Sequence, residues 1–477
     1  MSGMKDYERY DGLGLADLVK TRAVTAKELL TAAVERIEAR NPAINAVVNR
    51  MYDRAESAIA AGLPAGPFAG VPYLLKDLGA YYAGAVTSAG SAFFRDAVAD
   101  HDSEIVARMK RAGLVILGKT NTSEFGLSTS VEPKLFGPTR NPWNVEFSAG
   151  GSSGGAAAAV ACGMLPIAHA TDGGGSIRIP ASCCGLFGLK PTRARTPLGP
   201  DLGEGWSGAS VGHAVTRSVR DSAALLDATA GPDVGDPYWA PPPRGPYLAE
   251  VDAAPGRLEI AFTTRAWSGH PVHPECVAAV SQAAKLCESL GHSVEEASPF
   301  IDEELHNKAR RVIIGANTRM TLEARGKALG REPKPDDVET FTWAAAESGR
   351  ELTASDYAGA IRALHQVGRV VGRFFTRYDL LLTPTMCEPP YKLGVLSMTG
   401  NNDPQAYLQA LLGTIAFTSL FNTSGNPAMS IPLHWSAQGL PIGVQFAAAF
   451  GDEATLFRLA AQLEAAQPWA DRRSPRH

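Results

Sequence analysis

Two glycine clusters, each holding a serine, lie close together in this chain of 477 residues: Gly150-Gly151-Ser152-Ser153-Gly154-Gly155 and Gly173-Gly174-Gly175-Ser176. Glycine admits backbone conformations, positive φ included, that bring N–H groups against a bound group. A serine hydroxyl held beside such donors suits acyl transfer, in which the oxygen attacks a carbonyl and the N–H groups receive the developing negative charge. One way to activate the serine is the G-x-S-x-G turn, which Gly150–Gly154 and Gly208–Gly212 both match. That chemistry needs an acid and then a histidine downstream, with the serine between a strand and a helix. The ten histidines offer no evident partner, and Gly208–Gly212 reads as a polar loop with no strand before it. The other way uses a lysine. Lys76 follows Tyr73-Leu74-Leu75, an apolar run that reads as a buried strand, and burial disfavours the charged amine. A neutral Lys76 can take the proton of Ser152, and Ser152 that of Ser176, which then attacks. Glycines ahead of Ser176 supply the oxyanion donors, and Ser152 passes the proton on to a leaving amine, which departs poorly as an anion. Residue chemistry alone leaves both readings open.

The elements that must position these groups alternate between helix and strand. Residues 14–40 read as helix, with a Thr25/Glu28 capping box and Leu29, Leu30, Ala33, Val34 and Ile37 on one face, ended by Pro42 and Asn45. A helix near 52–62, the strand carrying Lys76, a helix from Asp102 or Ser103 to Gly113 and a strand over Leu114–Leu117 follow. Gly137–Asn144 is a loop, Ala156–Met164 a helix, Leu165–Ala170 a buried strand, and Ser176 opens a short helix that stops before Gly185. Leu186–Leu189 is extended and Ser218–Ala230 helical, after which residues 231–256 form a Pro/Gly-rich surface loop, the best linker candidate. Beyond it come a β-α-β unit (strand 258–262, helix 274–290, strand 292–296), a mainly helical region over 302–377, strands at 378–384, 426–432 and 440–446, and a closing helix at 453–466. This alternation predicts an α/β fold with a largely buried sheet.

Composition narrows the class. The chain is 45% hydrophobic and 20% charged with a formal net charge of −4, and no Lys/Arg block marks it for nucleic acid or an acidic membrane. Its six cysteines (Cys162, Cys183, Cys184, Cys276, Cys287, Cys387) form no C-x-x-C pair and no His/Cys cluster at metal-ligand spacing, so no metal site is expected. The polar start lacks the apolar core of a signal peptide, and the longest apolar run, Ala156–Ala168, is too short to span a bilayer. Reduced thiols in a soluble, cytoplasmic protein are the expectation. Cys183 and Cys184 read as core, and His169 as a satisfied core histidine. Trp206, Trp239 and 240–246 either edge a substrate entrance or pack on themselves.

Lys76, then GGSSGG, then DGGGSIRIP, with Ser152 and Ser176 24 residues apart, resembles the amidase signature family of serine hydrolases. The resemblance runs over nearly the whole chain, through Gly70-Val71-Pro72, Gly118-Lys119-Thr120-Asn121, Asn141-Pro142-Trp143-Asn144, Gly188-Leu189-Lys190-Pro191-Thr192, Gly425-Asn426-Pro427-Ala428 and Gly439-Leu440-Pro441-Ile442-Gly443. It implies a single domain with a large mixed, mostly buried β-sheet flanked by helices on both faces. Within that domain, N-terminal helices cover about 14–65 and a catalytic core about 66–230; 257–477 completes the sheet and adds pocket-forming helices. It implies Lys76 as base, Ser152 as bridging serine after a cis Gly151–Ser152 peptide, and Ser176 as nucleophile. The backbone N–H groups of Gly173, Gly174, Gly175 and Ser176 form the implied oxyanion hole, with Ser153, Asp172 and Arg178 as supports. The implied activity is hydrolysis of a small-molecule amide without cofactor. Carbamate or ester hydrolysis, or service as the amidase-like subunit of a tRNA-dependent amidotransferase, is the alternative; a homodimer is the default assembly. Leu127–Phe136 lacks the serine-rich SSxENS pattern of glutamine-handling subunits, which counts against the last. Ala170 and Gly173 stand where the family pattern has glycine and threonine, which predicts a looser oxyanion loop. The strings PYLLKDL, ADHD, TRNPWN and SIRIPAS are similar to those of the 6-aminohexanoate-cyclic-dimer hydrolases within the family. They point to amides between apolar or linear acyl and amine parts. The pocket walls are expected from 302–345 and 395–422, where the family differs most.

Overall fold

Strands form where apolar and β-branched residues run together, and six of the thirteen are buried along their whole length. The computed structural model describes residues 4, 6–399 and 404–475. Among these residues the strands are β1 (Val47–Arg50), β2 (Pro72–Lys76), β3 (Val115–Thr120), β4 (Arg140–Asn141), β5 (Asn144–Ser148), β6 (Ile167–Asp172), β7 (Phe187–Lys190), β8 (Val211–Thr216), β9 (Glu259–Phe262), β10 (Ser293–Glu296), β11 (Leu380–Pro384), β12 (Ala428–Trp435) and β13 (Pro441–Ala448). Eleven make one mixed sheet in the order β1-β3-β2-β6-β8-β7-β12-β13-β11-β9-β10, while β4 and β5 pair as a separate hairpin. The β3-β2-β6 and β11-β9-β10 neighbours are parallel and the rest antiparallel.

Helices cover both faces of the β9–β13 half. Successive strand residues point to opposite sides. Ile260, Leu382, Met429, Ile431 and Phe446 pack with Val280, Leu456 and Phe457 from the helices Pro274–Ser289 and Glu453–Ala466. Their neighbours Ala261, Leu381, Ala428 and Ala447 pack instead with Val367, Val371, Leu420 and Phe421 from Ala354–Phe374 and Ser419–Ser424. A strand buried on both sides has no polar face to show, so β11 and β13 are apolar except at Thr383 and Gln445, whose side chains hydrogen-bond to each other.

Several expectations change. Pro42 does not end the first long helix. That helix runs Ala26–Ile44 and stops at Asn45 in the left-handed conformation, while Asn41 bonds the N–H groups of Ala46 and Val47 and turns the chain into β1. The short strand β1 went unread because four residues, VVNR, leave only one fully buried. The central strand β8 also went unread: Gly212 and His213 interrupt its apolar pattern, yet all six of its residues are buried between β6 and β7. Residues 231–256 are not wholly loop, because Tyr247–Val251 is helical and the buried Tyr247 ring packs at a tilt against Phe457, 5.7 Å between centroids. No helix among the described residues is long and apolar enough to cross a membrane.

The helix Gly154–Ala161 lies under the site, and its first turn is held backbone to backbone. A β-carbon on Gly155 would stand 2.5 Å from the carbonyl oxygen and 2.6 Å from the nitrogen of Asn121. Gly155→Ala is therefore expected to destabilise the fold by about 1–3 kcal/mol, measured as a lowered urea midpoint. An unchanged midpoint would mean that the helix is free to move away from β3.

Candidate active site

Lys76 ends β2, and the neighbouring parallel strand β6 ends in Thr171 and Asp172. Two strands that run the same way bring their C-terminal ends to one edge, the place where α/β sheets present side chains to a ligand. The Lys76 amine is fully buried; its Nζ lies 2.7 Å from Ser152 Oγ and 2.9 Å from Thr171 Oγ1. Burial pushes the amine down to about 7, against the raising effect of the Asp172 charge. Burial alone does not mark a base, since Lys119 and Lys190 are buried too. Lys119 donates to the Ala80 carbonyl and the Thr87 hydroxyl, and Lys190 donates to the Pro191 carbonyl. Only Lys76 meets a serine of the glycine clusters.

Ser152 follows a cis Gly151–Ser152 peptide. A β-carbon on Gly151 would come within 2.6 Å of the Thr129 backbone, so no other residue lets this turn lie so close to the Thr129–Ser130 segment. Ser153 does not reach the lysine: its hydroxyl donates to the Thr171 carbonyl at 3.2 Å and accepts from the Thr171 N–H, fastening the turn to β6. Exposure rises along the three chemical groups, from 0% at Lys76 to 2% at Ser152 and 8% at Ser176, so the series leads from the interior to the accessible surface. The Ser176 hydroxyl makes no hydrogen bond to another described residue, Ser152 included.

The loop between β6 and the helix Arg178–Cys184 is wound around one carboxylate. Asp172 accepts from the N–H groups of Gly175 (2.8 Å), Ile177 (3.0 Å) and Arg178 (3.4 Å), from both Nε and Nη2 of Arg178, and from Asn422 Nδ2. Arg178 goes on to donate to the Thr418 carbonyl, Gln445 Oε1 and Asn422 Oδ1, and both ion-pair partners are fully buried. Burial would raise the Asp172 carboxyl; the Arg178 charge and the hydrogen bonds from Arg178 and Asn422 outweigh it and hold the group well below the usual carboxylate range. Thr418 Oγ1 donates to the Gly174 carbonyl at 2.6 Å.

This geometry narrows the set of expected oxyanion donors and leaves their loop firmly held. The Gly175 N–H is committed to Asp172, so the donors left without a partner among the described residues are those of Gly173, Gly174 and Ser176. The expected slackness at Gly173 is absent: the Trp206 ring stands 2.8 Å from where a β-carbon would lie, filling the space a threonine would use. Trp206 thus sits against the loop, whereas Trp239 is 60% exposed. Gly208–Gly212 leads into β8 and not into a helix, which removes it as a nucleophile turn. Ser152 does stand between a strand, β5, and a helix, but its partner is a lysine. His169 is buried and only half satisfied. Its Nδ1 accepts from the Lys76 N–H at 3.3 Å and its Nε2 has no partner; burial, aided by the Lys76 charge, pushes the imidazole down to about 3. Cys183 and Cys184 are core residues, and all six cysteines are unpaired and buried. Sequence reasoning missed Thr171, Thr418, Asn422 and Gln445. The last three lie more than 240 residues from the loop that they hold, and no local pattern announces them. Of the segments expected to wall the pocket, 302–345 brings Arg310 and 395–422 brings Thr418 to the loop; residues 400–403 lie outside the described residues.

The amidase family profile matches residues 28–457. The chain is 40% identical over 474 residues to a 6-aminohexanoate-cyclic-dimer hydrolase of Paenarthrobacter ureafaciens, covering 97% of this chain and 96% of the relative. Among solved structures, 6-aminohexanoate cyclic dimer hydrolase complexed with substrate superposes with a TM-score of 0.94 at 39% identity, covering 98% of this chain and 99% of the other. A bacterial aryl acylamidase of the amidase signature enzymes superposes with a TM-score of 0.89 at 29% identity, again over 98% and 99% of the two chains.

Asp172→Asn would leave the buried Arg178 guanidinium without its counter-charge. The expected loss is about 3–5 kcal/mol of stability, read as a lowered thermal midpoint. A midpoint equal to that of the wild type would show that the pair does not hold the loop.

Proposed function

The chain belongs to the amidase family, and on that premise we propose that it hydrolyses carboxylic amides through an acyl-enzyme on Ser176, with Ser152 and Lys76 moving the proton. The observation that carries the reading is the buried Lys76 amine, lowered to about 7 and 2.7 Å from Ser152 Oγ. A lysine of ordinary basicity would stay protonated and could accept nothing.

Each step balances. As Ser176 Oγ bonds to the carbonyl carbon, its proton passes to Ser152 Oγ while the Ser152 proton passes to Lys76 Nζ. The electron pair of the C=O π bond moves to oxygen, where the N–H groups of Gly173, Gly174 and Ser176 meet it; a single donor of this kind is worth on the order of 3 kcal/mol. When the C–N bond breaks, Ser152 gives its proton to the departing nitrogen and regains one from Lys76. Water then attacks the acyl-enzyme by the same route. Relatives named for a cyclic amide dimer and for aryl acylamides support amides that join apolar linear, cyclic or aryl parts. Six unpaired, buried cysteines support a reducing, cytoplasmic setting.

Ser176→Ala is expected to abolish labelling by a fluorophosphonate probe and to lower amide turnover by about 10^4-fold or more; unchanged labelling would move the nucleophile elsewhere. Lys76→Ala should lower turnover of an anilide by about 10^2–10^4-fold and that of the matched phenyl ester by less, because the amine needs the returned proton most. Equal losses would contradict the relay. Because the amine works in its neutral form, kcat/KM for the anilide should fall as the pH drops through about 7 and level off above it. A profile without that acid limb would count against Lys76 as the base.

A further inference from the structure

Beside the loop stands a charged group that the hydrolytic steps do not use. Arg310 lies on the long helix Glu303–Ala328, and its Nη2 is 3.3 Å from the position that a β-carbon on Gly174 would take. It makes no hydrogen bond and no ion pair with any described residue. Burial lowers its basicity to about 10, and the acid that acts on it most, Glu303, is already engaged with His306 Nδ1 (3.3 Å) and Asn307 Nδ2 (3.1 Å). The helix is not free to swing the guanidinium away. Ala309 and Ile313, on either side of it in sequence, are buried against Ala360, Ala363 and Leu364 of the helix Ala354–Phe374, and Trp206 packs on the same cluster. A half-buried guanidinium with no protein partner is left to water alone, and it gains when a ligand brings a counter-charge in bidentate geometry.

We propose that Arg310 is a specificity-determining residue that receives a carboxylate of the substrate, so that the enzyme favours amides carrying an acidic group a short chain away from the scissile bond. The inference rests on the hydrolytic reading for the place of the scissile bond. Its geometry follows from the loop. Gly174 and Ser176 are two Cα steps apart, at most ~7 Å, so the guanidinium sits within a few methylenes of a carbonyl carbon on Ser176 Oγ. Arginine suits the task because its planar fork meets both carboxylate oxygens at once. Gly174 thereby serves two ends: its N–H faces the developing oxyanion, and its missing side chain leaves the space through which Arg310 approaches.

Glutarate, which has two carboxylates and no scissile bond, tests the cradle without turnover. Isothermal titration should show binding to the wild type, weakened about tenfold or more in Arg310→Gln and partly recovered in Arg310→Lys. In parallel, the mono-anilide of glutaric acid should be hydrolysed with a higher kcat/KM than the uncharged 5-methylhexananilide. Arg310→Gln should erase that preference through a raised KM for the acid. Equal glutarate affinity in the wild type and Arg310→Gln, or no binding to the wild type, overturns the assignment. So does an equal fractional loss on both anilides. The titration stands whether or not the anilides are cleaved, so a failure of the hydrolytic reading would show as bound glutarate with no turnover of either anilide.

Discussion

One carboxylate sets the shape of the site. Asp172 gathers three backbone N–H groups, the Arg178 guanidinium and the Asn422 amide, and a chain that must deliver so many donors to one point has little choice of path. The turn from β6 into the following helix is drawn around it. Gly173 and Gly174 stay partly exposed, and their N–H groups make no hydrogen bond to another described residue. Leaving any of these donors buried and unpaired would be unfavourable by an amount comparable to a hydrogen bond, so the loop is held by the sum of several such penalties. The same charge bears on Lys76, opposing the effect of burial on its amine. Structural support and chemical tuning thus come from one residue.

Most of the fold was legible in the sequence because its elements are long or strongly patterned. The Thr25/Glu28 box, the all-apolar helix after Ser153 and the buried run before Lys76 each carry their own signal. What stayed hidden was short or locally contradictory. The strand β8 contains a glycine and a histidine, and its burial comes from neighbours on both sides. The site divides in the same way. Lys76, Ser152 and Ser176 stand in recognisable strings, whereas Thr418, Asn422 and Gln445 act only through a fold that returns them across the sheet. Gly175 was read as an oxyanion donor because glycine suggests an open N–H; which donors are open depends on where Asp172 lies, and only three dimensions tell that. The Gly173 position misled for a related reason, since a missing side chain looks like slackness until Trp206 is seen filling its place.

Three buried lysines in one chain separate burial from function. Lys119 and Lys190 have their charge disfavoured just as Lys76 does, yet their partners include carbonyl oxygens, which can only accept and so keep the amine a donor. Lys76 has two hydroxyls, which can give as well as take. The distinction lies in the chemistry of the neighbours and explains why an apolar run ending in lysine is not by itself evidence of a base.

The bolts that hold the loop come from late in the chain. Thr418, Asn422 and Gln445 are joined after every chemistry-bearing residue has already been made. A nascent chain that ends at residue 400 holds Lys76, Ser152, Ser176 and both glycine clusters, but of the partners of the Arg178 side chain it holds Asp172 alone. Strands β12 and β13, which lie in the middle of the sheet, are also still missing at that stage. A chain cut short there carries Lys76, Ser152, Ser176 and both glycine clusters without the side chains that fasten the loop.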